Sequence, residues 1–95
     1  MHIIEFSDAL EKQRKKLKTK NPVLFNQIQK KIYEIADNPE HYKPLRNKLA
    51  GFYRIQFGSY VLIYTIKKNI VRFVDLDHHD IIYKKYNLYE KHSQK

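Results

Sequence analysis

The sequence contains no cysteine, and that absence excludes several kinds of site. Without thiols the chain can form no disulfide framework, no thiolate metal site and no cysteine nucleophile, so a cytoplasmic setting is expected. Long apolar runs are also missing, since none approaches the roughly 18 to 20 residues of a membrane span. The first residues are too few and too polar for a signal peptide. We therefore expect neither secretion nor membrane association.

Glycine is scarce, with 2 residues in the chain, and neither lies in a phosphate-binding loop of the P-loop or dinucleotide type. The serines lack the sequence context of a strained nucleophile. His78 and His79 are adjacent and so point in different directions, and the other histidines lie in separate segments, which is not metal-ligand spacing. The sequence thus predicts neither a metal site nor a cofactor.

Positive charge is what the sequence has in excess. Its 19 lysines and arginines outnumber 10 acidic residues, which gives a formal net charge of +9 in 95 residues. Such a balance favours a polyanionic partner, either nucleic acid or an acidic protein, although the charge could serve solubility alone. A chain of this length buries roughly 60 to 65% of its unfolded surface. We therefore expect one domain over residues 1–95.

The densest run of β-branched and aromatic residues lies at positions 52–66 and predicts a β-hairpin. Residues 52–57 alternate between two faces, as in a half-buried strand. Gly58 and Ser59 then interrupt the run, as a hairpin turn requires. Residues 60–66 are apolar at nearly every position, which indicates a strand in the middle of a sheet, covered on both faces.

The N-terminal half predicts one strand and two helices. A short strand is expected at residues 2–6, followed by a helix over residues 9–20 that Ser7 or Asp8 can cap. Asn21 and Pro22 form a second helix start signal, and this helix should end at residue 37 or 38. Its apolar stripe at helical spacing consists of Leu24, Ile28, Ile32 and Ile35.

The remaining segments complete an α+β fold. Residues 38–50 hold two of the three prolines and are predicted as a loop anchored by Leu45 and Leu49. A polar turn at residues 67–69 precedes a third strand at 70–76. Polar residues 77–80 then precede a short C-terminal helix or tail. This order predicts an N-terminal strand, a two-helix hairpin and an antiparallel three-stranded meander, with both helices on one face and the other face open.

Basic, aromatic and imidazole side chains on or beside the hairpin are suited to RNA. Arginine and lysine bind phosphate, histidine transfers protons near neutral pH, and tyrosine stacks on an unpaired base. The candidate RNA-binding residues are Lys43, Arg46, Gln56, Tyr60, Lys84 and Lys85. Each type has an ordinary structural alternative: a strand arginine can be merely solvated, a histidine at a strand end can form a turn, and C-terminal tyrosines can dock a helix.

The segment from Pro44 to Tyr83 resembles the conserved half of the RelE/ParE superfamily of toxins from type II toxin-antitoxin systems. That pattern has Leu and Lys ahead of a Gly, a hairpin of the form YRIR-x-GxYR-x-x-Y, and a strand ending in His-Arg with a Tyr four residues after the Arg. The matching residues are Leu45, Lys48, Leu49, Gly51, Tyr53, Arg54, Ile55, Gly58, Tyr60, Tyr64, His78 and Tyr83. Gln56, Val61 and His79 stand where the superfamily often has a cation.

The resemblance implies one of two activities, and neutralisation by an antitoxin. RelE-like members cut mRNA in the ribosomal A site, which requires proton transfer and cations for the pentavalent phosphate. The residues that would do this here are Arg54, Lys48, Tyr83 and either His79 or His78. His79 is favoured because it precedes Tyr83 by four residues, a spacing that places both on one helix face.

The alternative is a non-nucleolytic member of the superfamily, because three cationic positions are lost. The loss of the arginine at position 61 alone should cost about 2 to 4 kcal/mol of transition-state stabilisation. Such a protein would be a ParE-like inhibitor of DNA gyrase or a degenerate toxin that only binds its antitoxin. The expected partners are thus a cognate antitoxin, joined in a toxin-antitoxin hetero-oligomer, and mRNA with the ribosome.

Overall fold

The computed structural model describes residues 2–45 and 50–88, which form a five-stranded sheet and three α-helices. The strands are β1 (Ile3–Phe6), β2 (Lys43–Pro44), β3 (Phe52–Phe57), β4 (Tyr60–Lys67) and β5 (Ile70–His78). The helices are α1 (Asp8–Lys20), α2 (Pro22–Asp37) and α3 (His79–Tyr86), with a 3-10 turn at Pro39–His41. None of these helices is long and apolar enough to cross a bilayer.

The sheet has the strand order β1-β5-β4-β3-β2. β1 runs parallel to β5, and every other neighbouring pair is antiparallel. β4 lies in the centre, and its residues Val61, Leu62, Ile63 and Tyr64 are fully buried, as its unbroken apolar run predicts. The turn into β4 uses Gly58, whose φ of 57° lies in the left-handed region that glycine adopts without strain. The predicted α+β architecture is confirmed.

Both α1 and α2 pack on one face of the sheet. Ser7 and not Asp8 is the N-cap of α1, because the Ser7 hydroxyl accepts a hydrogen bond from the N–H of Leu10 at 3.1 Å. The side-chain oxygen of Asn21 caps α2 by accepting the N–H of Leu24 at 3.2 Å. The buried core between these helices and the sheet consists of Leu10, Leu17, Ile28, Ile32, Ile35, Leu62, Tyr64, Val71, Phe73 and Leu76.

The opposite face is not open, so that expectation is wrong. Successive residues of a strand point to opposite faces, and Val61 and Ile63 of β4 therefore point away from α1 and α2. They are buried against Ile82 of α3 in a second apolar cluster. Tyr83 and Tyr86 pack at the margin of this cluster. The short C-terminal helix thus covers part of the sheet face that carries Arg54.

A β-bulge interrupts the pairing of β4 with β5. Ile63 is opposite Asp75 and Tyr64 is opposite Phe73, so Val74 is an extra residue without an opposite partner. The bulge changes which face the following side chains reach, as bulges commonly do. Phe73 and Leu76 both enter the core beneath α1 and α2, whereas Asp75 lies beneath α3.

Two sequence-based boundaries need correction. Residues 38–50 are not wholly a loop, because the 3-10 turn and β2 lie within them and β2 pairs with Tyr53 and Arg54 of β3. Leu45 packs on the second cluster as expected, while Leu49 lies outside the described residues. β5 extends two residues beyond the predicted strand, so Asp77 and His78 are strand residues and His79 begins α3.

Candidate functional site

Arg54, Tyr83 and His79 meet on the sheet face that α3 covers. The Arg54 guanidinium donates a hydrogen bond to the hydroxyl of Tyr83. Its central carbon lies 5.4 Å from the centroid of the Tyr83 ring, within the range of a cation–π interaction. The His79 ring centroid is 5.5 Å from that of Tyr83, with the rings inclined at 34°. A cation, a phenol and an imidazole therefore lie side by side.

Each member of this trio is placed by its backbone element. Arg54 lies in the middle of β3, opposite Ile63 of the central strand. The backbone N–H of His79 donates to the carbonyl of Ser59 at 2.7 Å, which fixes the start of α3 on the β3–β4 turn. Tyr83 is one helical turn further on, so it shares a helix face with His79. This is the pairing that their spacing predicts.

The two histidines differ in their environment. Nδ1 of His78 accepts the N–H of Asp80 at 3.2 Å and caps α3. Its ring lies edge-on to Tyr60, with centroids 6.1 Å apart. Tyr60 packs on the core of the α1 and α2 face. His78 thus faces Tyr60, and His79 faces Tyr83.

His79 has one buried and one accessible side. Its Nδ1 lies 2.9 Å from Oδ1 of Asp80, but the angles are not those of a hydrogen bond, and this buried atom has no hydrogen-bond partner. The side chain as a whole is 41% exposed. The exposed side of the His79 ring can therefore reach a bound substrate, while Asp80 lies beside the buried Nδ1.

Lys43 and Gln56 extend the Arg54 side of the site. Lys43 of β2 is directly opposite Arg54, and opposite residues of an antiparallel pair project from the same face. Gln56 lies two residues beyond Arg54 on that face, where its amide donates to the carbonyl of Gly58 at 2.9 Å. Both side chains are solvent exposed. They can contact a chain that passes over Arg54.

The other candidates are dispersed or lie outside the described residues. Tyr60 belongs to the opposite face, so the structure does not bring it to Arg54. Lys84 is exposed on α3. Lys85 is bound to a carboxylate, with Nζ 2.6 Å from Oδ2 of Asp75. Arg46 and Lys48 lie outside the described residues, and their proposed roles stay predictions.

Asp75 is the residue beside this site that the sequence reasoning missed. It is 4% exposed, and its Oδ2 also accepts a hydrogen bond from the Tyr86 hydroxyl at 2.8 Å. Burial, together with this hydrogen bond to Asp75, raises the pKa of Tyr86 well above its ordinary value. The available signal was a carboxylate within the apolar strand sequence IVRFVDL, since acidic residues are rarely buried unless paired.

His78, His79 and Asp80 are close enough to offer three ligand atoms to a metal, all within 4.8 Å of one another. Although each histidine ring faces a different tyrosine, the two ring centroids are 5.3 Å apart, because the chain passes from strand to helix between them. However, Nδ1 of His78 already accepts the helix N–H, and Asp80 is 71% exposed. The arrangement is accounted for as a helix cap.

Comparison with known proteins identifies the family. Residues 4–83 match the family described as "ParE toxin of type II toxin-antitoxin system, parDE". The chain belongs to this toxin family. The toxin is 43% identical over 93 residues to "Putative toxin RelE4" of Methanocaldococcus jannaschii, covering 95% of this chain and 99% of that protein. The resemblance to RelE/ParE toxins seen in the sequence is thereby confirmed.

Solved structures share the fold of this toxin. The RelBE2 toxin-antitoxin complex of Mycobacterium tuberculosis superposes with a TM-score of 0.69 at 25% identity, over 81% of this chain and 96% of that one. The intact RelBE complex of E. coli superposes with a TM-score of 0.71 at 22% identity, over 82% of this chain and 96% of that one.

Two of the substituted cationic positions have a definite environment in this toxin. Val61 is fully buried against Ile82 of α3, so the position where the superfamily pattern has an arginine lies here beneath a helix. Gln56 is exposed and bonded to its own turn. Val61 therefore packs against α3, and Gln56 forms a hydrogen bond within its turn, where the superfamily pattern has a cationic side chain.

Proposed function

We propose that this toxin is a metal-independent endoribonuclease that cuts mRNA on the ribosome and so blocks translation. The observation that supports this is the contact of Arg54 with Tyr83 and of Tyr83 with the partly exposed His79 on one sheet face. The trio provides a fixed cation for a phosphate, an imidazole for proton transfer and an aromatic ring for an unpaired base.

The proposed chemistry uses the substrate's own ribose. The 2′-oxygen attacks the adjacent phosphorus while the bond from phosphorus to the 5′-oxygen breaks, which gives a cyclic phosphate and a free 5′-hydroxyl. His79 takes the proton of the 2′-hydroxyl and returns it to the leaving 5′-oxygen, so the proton count balances. Arg54 stabilises the charge that develops on the phosphoryl oxygens. Lys48 is proposed as a second cation, and His78 as the alternative proton carrier.

The Arg54 hydrogen bond to Tyr83 has a positioning consequence. Because the guanidinium is held by Tyr83 and packs over its ring, its remaining N–H groups have a fixed direction before substrate binds. Such preorganisation reduces the entropic cost of binding the transition state. Lys43 and Gln56 lie on the same face and are proposed to hold the RNA backbone, with Lys84 on α3.

Primer extension on a translated message in a cell-free system tests the nuclease. Discrete cuts within A-site codons are expected with the wild-type toxin, and none on the same message without ribosomes. A DNA gyrase supercoiling assay is run beside it with the same protein preparation. If the message stays intact while supercoiling stops, the nuclease proposal is wrong.

The second candidate is the non-nucleolytic toxin, which either inhibits gyrase or only binds its antitoxin. The burial of Val61 and the absence of charge at Gln56 favour it, because these positions leave the described part of the site with fewer cations than the superfamily pattern has. If the toxin neither cuts the message nor stops supercoiling by gyrase, antitoxin binding remains as its activity.

We also propose that the toxin acts in the cytoplasm, as one domain, in a hetero-oligomer with a cognate antitoxin. Support comes from the toxin-antitoxin complexes among its structural neighbours and from its net charge of +9. That charge suits an acidic peptide that folds on contact. Co-expression with the neighbouring open reading frame, followed by co-purification, tests the pairing.

A further inference from the structure

The buried carboxylate of Asp75 joins β5 to the C-terminal turn of α3. It is the only buried charged side chain in the described part of the chain. Oδ2 receives both the Lys85 ammonium, at 2.6 Å, and the Tyr86 hydroxyl, at 2.8 Å, while Oδ1 accepts the N–H of Leu76 at 2.9 Å. A buried carboxylate is costly unless it is paired and hydrogen bonded. The site for Asp75 is therefore complete only when α3 is docked.

The backbone is shaped to aim this carboxylate at α3. The extra residue Val74 lets both Phe73 and Leu76 enter the core on one face while Asp75 reaches the other. The carbonyl of Val74 accepts a hydrogen bond from the hydroxyl of Ser7. This hydrogen bond gives the backbone carbonyl at the bulge a partner. Regular alternation could not place Phe73, Asp75 and Leu76 in these positions.

Helix α3 is consequently held at both ends, with the site residues between. The N–H of His79 binds the carbonyl of Ser59 at the start, and Lys85 and Tyr86 bind Asp75 at the end. Tyr83 lies between these two anchors, against Arg54. The apolar contacts of Ile82 press the helix to the sheet, but such contacts are non-directional and leave its rotation to the polar anchors.

We infer that Asp75 is a positioning residue for the site: by binding Lys85 and Tyr86 it sets the rotation of α3 and hence the contact of Tyr83 and His79 with Arg54. This inference rests on the proposed nuclease function. Without the carboxylate, the last turn of α3 loses its directional anchor and Tyr83 shifts relative to Arg54. A misplacement of about 1 Å in a catalytic group can cost about 100-fold in rate.

Asp75→Asn tests the inference, because asparagine keeps the shape and removes the charge. Single-turnover cleavage at saturating ribosomes should fall about 10- to 100-fold. In a Tyr83→Phe background the same change should cost less than it does in the wild type, because the part of its effect that acts through the Tyr83 hydroxyl is already lost. Glu34→Gln is the matched control, since it breaks the exposed pair of Glu34 with Lys31 on α2. It should leave the cleavage rate unchanged in both the wild-type and the Tyr83→Phe backgrounds. Equal fold-losses in the two backgrounds would overturn the positioning role.

An NMR measurement separates this inference from the nuclease proposal. Asp75→Asn should shift the ring resonances of both His79 and Tyr83, and Glu34→Gln should leave them in place. If the wild-type toxin cuts no message, the proposed function fails, yet these shifts still decide whether Asp75 positions the helix. Unchanged resonances in folded Asp75→Asn overturn the inference. If that variant does not fold, Tyr86→Phe replaces it, and unchanged resonances there count equally against the inference.

Discussion

The hydroxyl of Ser7 donates a hydrogen bond to the backbone carbonyl of Val74, 67 residues away in sequence. The same oxygen accepts the N–H of Leu10 and so caps α1. One small side chain therefore joins the first helix to the bulge in β5, and that bulge directs Asp75 toward α3. The link connects the helical face of the toxin with the face that carries Arg54.

Replacing Ser7 with alanine should lower the free energy of unfolding by about 1 to 3 kcal/mol. The loss combines a missing helix cap with an unpaired carbonyl at Val74. Thr19→Ala, an exposed hydroxyl deletion in the same helix, is the control and should cost far less. Urea unfolding of the three proteins measures the difference, and equal midpoints for the two variants would contradict this account of Ser7.

Stability should fall as pH rises above about 10. Burial raises the pKa of Tyr64 and of Tyr86 well above the ordinary value of 10.0. Above pH 10 the unfolded phenols lose their protons while the folded ones keep them, so the unfolded state binds fewer protons and gains stability. Below pH 10 both states are protonated and this effect disappears.

Tyr64→Phe isolates one of these groups. The variant should be less stable at neutral pH by about 1 to 3 kcal/mol, because the carbonyl of Pro39 loses the hydroxyl 2.6 Å away. Its stability deficit should shrink between pH 10 and pH 11. Denaturant unfolding at several pH values measures both effects, and a deficit that is constant across this range would show that Tyr64 does not resist ionisation.

The two histidines should respond differently to glutamine. His79→Gln should lower single-turnover cleavage on ribosomes about 10² to 10⁴-fold with little effect on ribosome binding, as expected for a lost proton carrier. His78→Gln should mainly cost about 0.5 to 2 kcal/mol of stability, because Nδ1 of His78 caps α3. If each variant retains full cleavage, neither histidine carries the proton and the pair is a structural turn.

Association with the antitoxin should depend on salt. Because the toxin carries a net charge of +9, an acidic antitoxin peptide should associate more slowly as ionic strength rises, while dissociation changes little. Stopped-flow association at about 50 mM and about 500 mM salt measures this. Equal association rates at the two concentrations would remove the electrostatic part of the proposed recognition.

Much of this fold was predictable because its signals are local. The apolar run of β4 and the cap and proline before α2 each determine their element within a few residues. Alternation also placed Arg54 and Gln56 on one face, and helical spacing paired His79 with Tyr83. These patterns depend only on the period of a strand or a helix.

The remaining features depend on contacts between distant segments. The sequence around Val74 does not predict a bulge, because the bulge depends on the hydrogen bond from Ser7 and on the pairing of β5 with β4. Asp75 consequently could not be assigned to the α3 face by counting along the strand. The two-residue strand β2 pairs with Arg54 and Tyr53 at the edge of the sheet, and Pro44 argues locally against a strand in any position but an edge.

Primer extension with Arg54→Gln and Arg72→Gln toxins tests the central claim most directly. Both variants remove one strand arginine and one charge, but Arg54 contacts Tyr83, whereas Arg72 pairs with Glu5 at 3.2 Å. We predict that Arg54→Gln reduces cleavage about 10² to 10³-fold, the scale for one lost electrostatic donor, and that Arg72→Gln cuts at the wild-type rate. Equal cleavage by folded Arg54→Gln and Arg72→Gln would contradict the assignment of the active site to the Arg54 face.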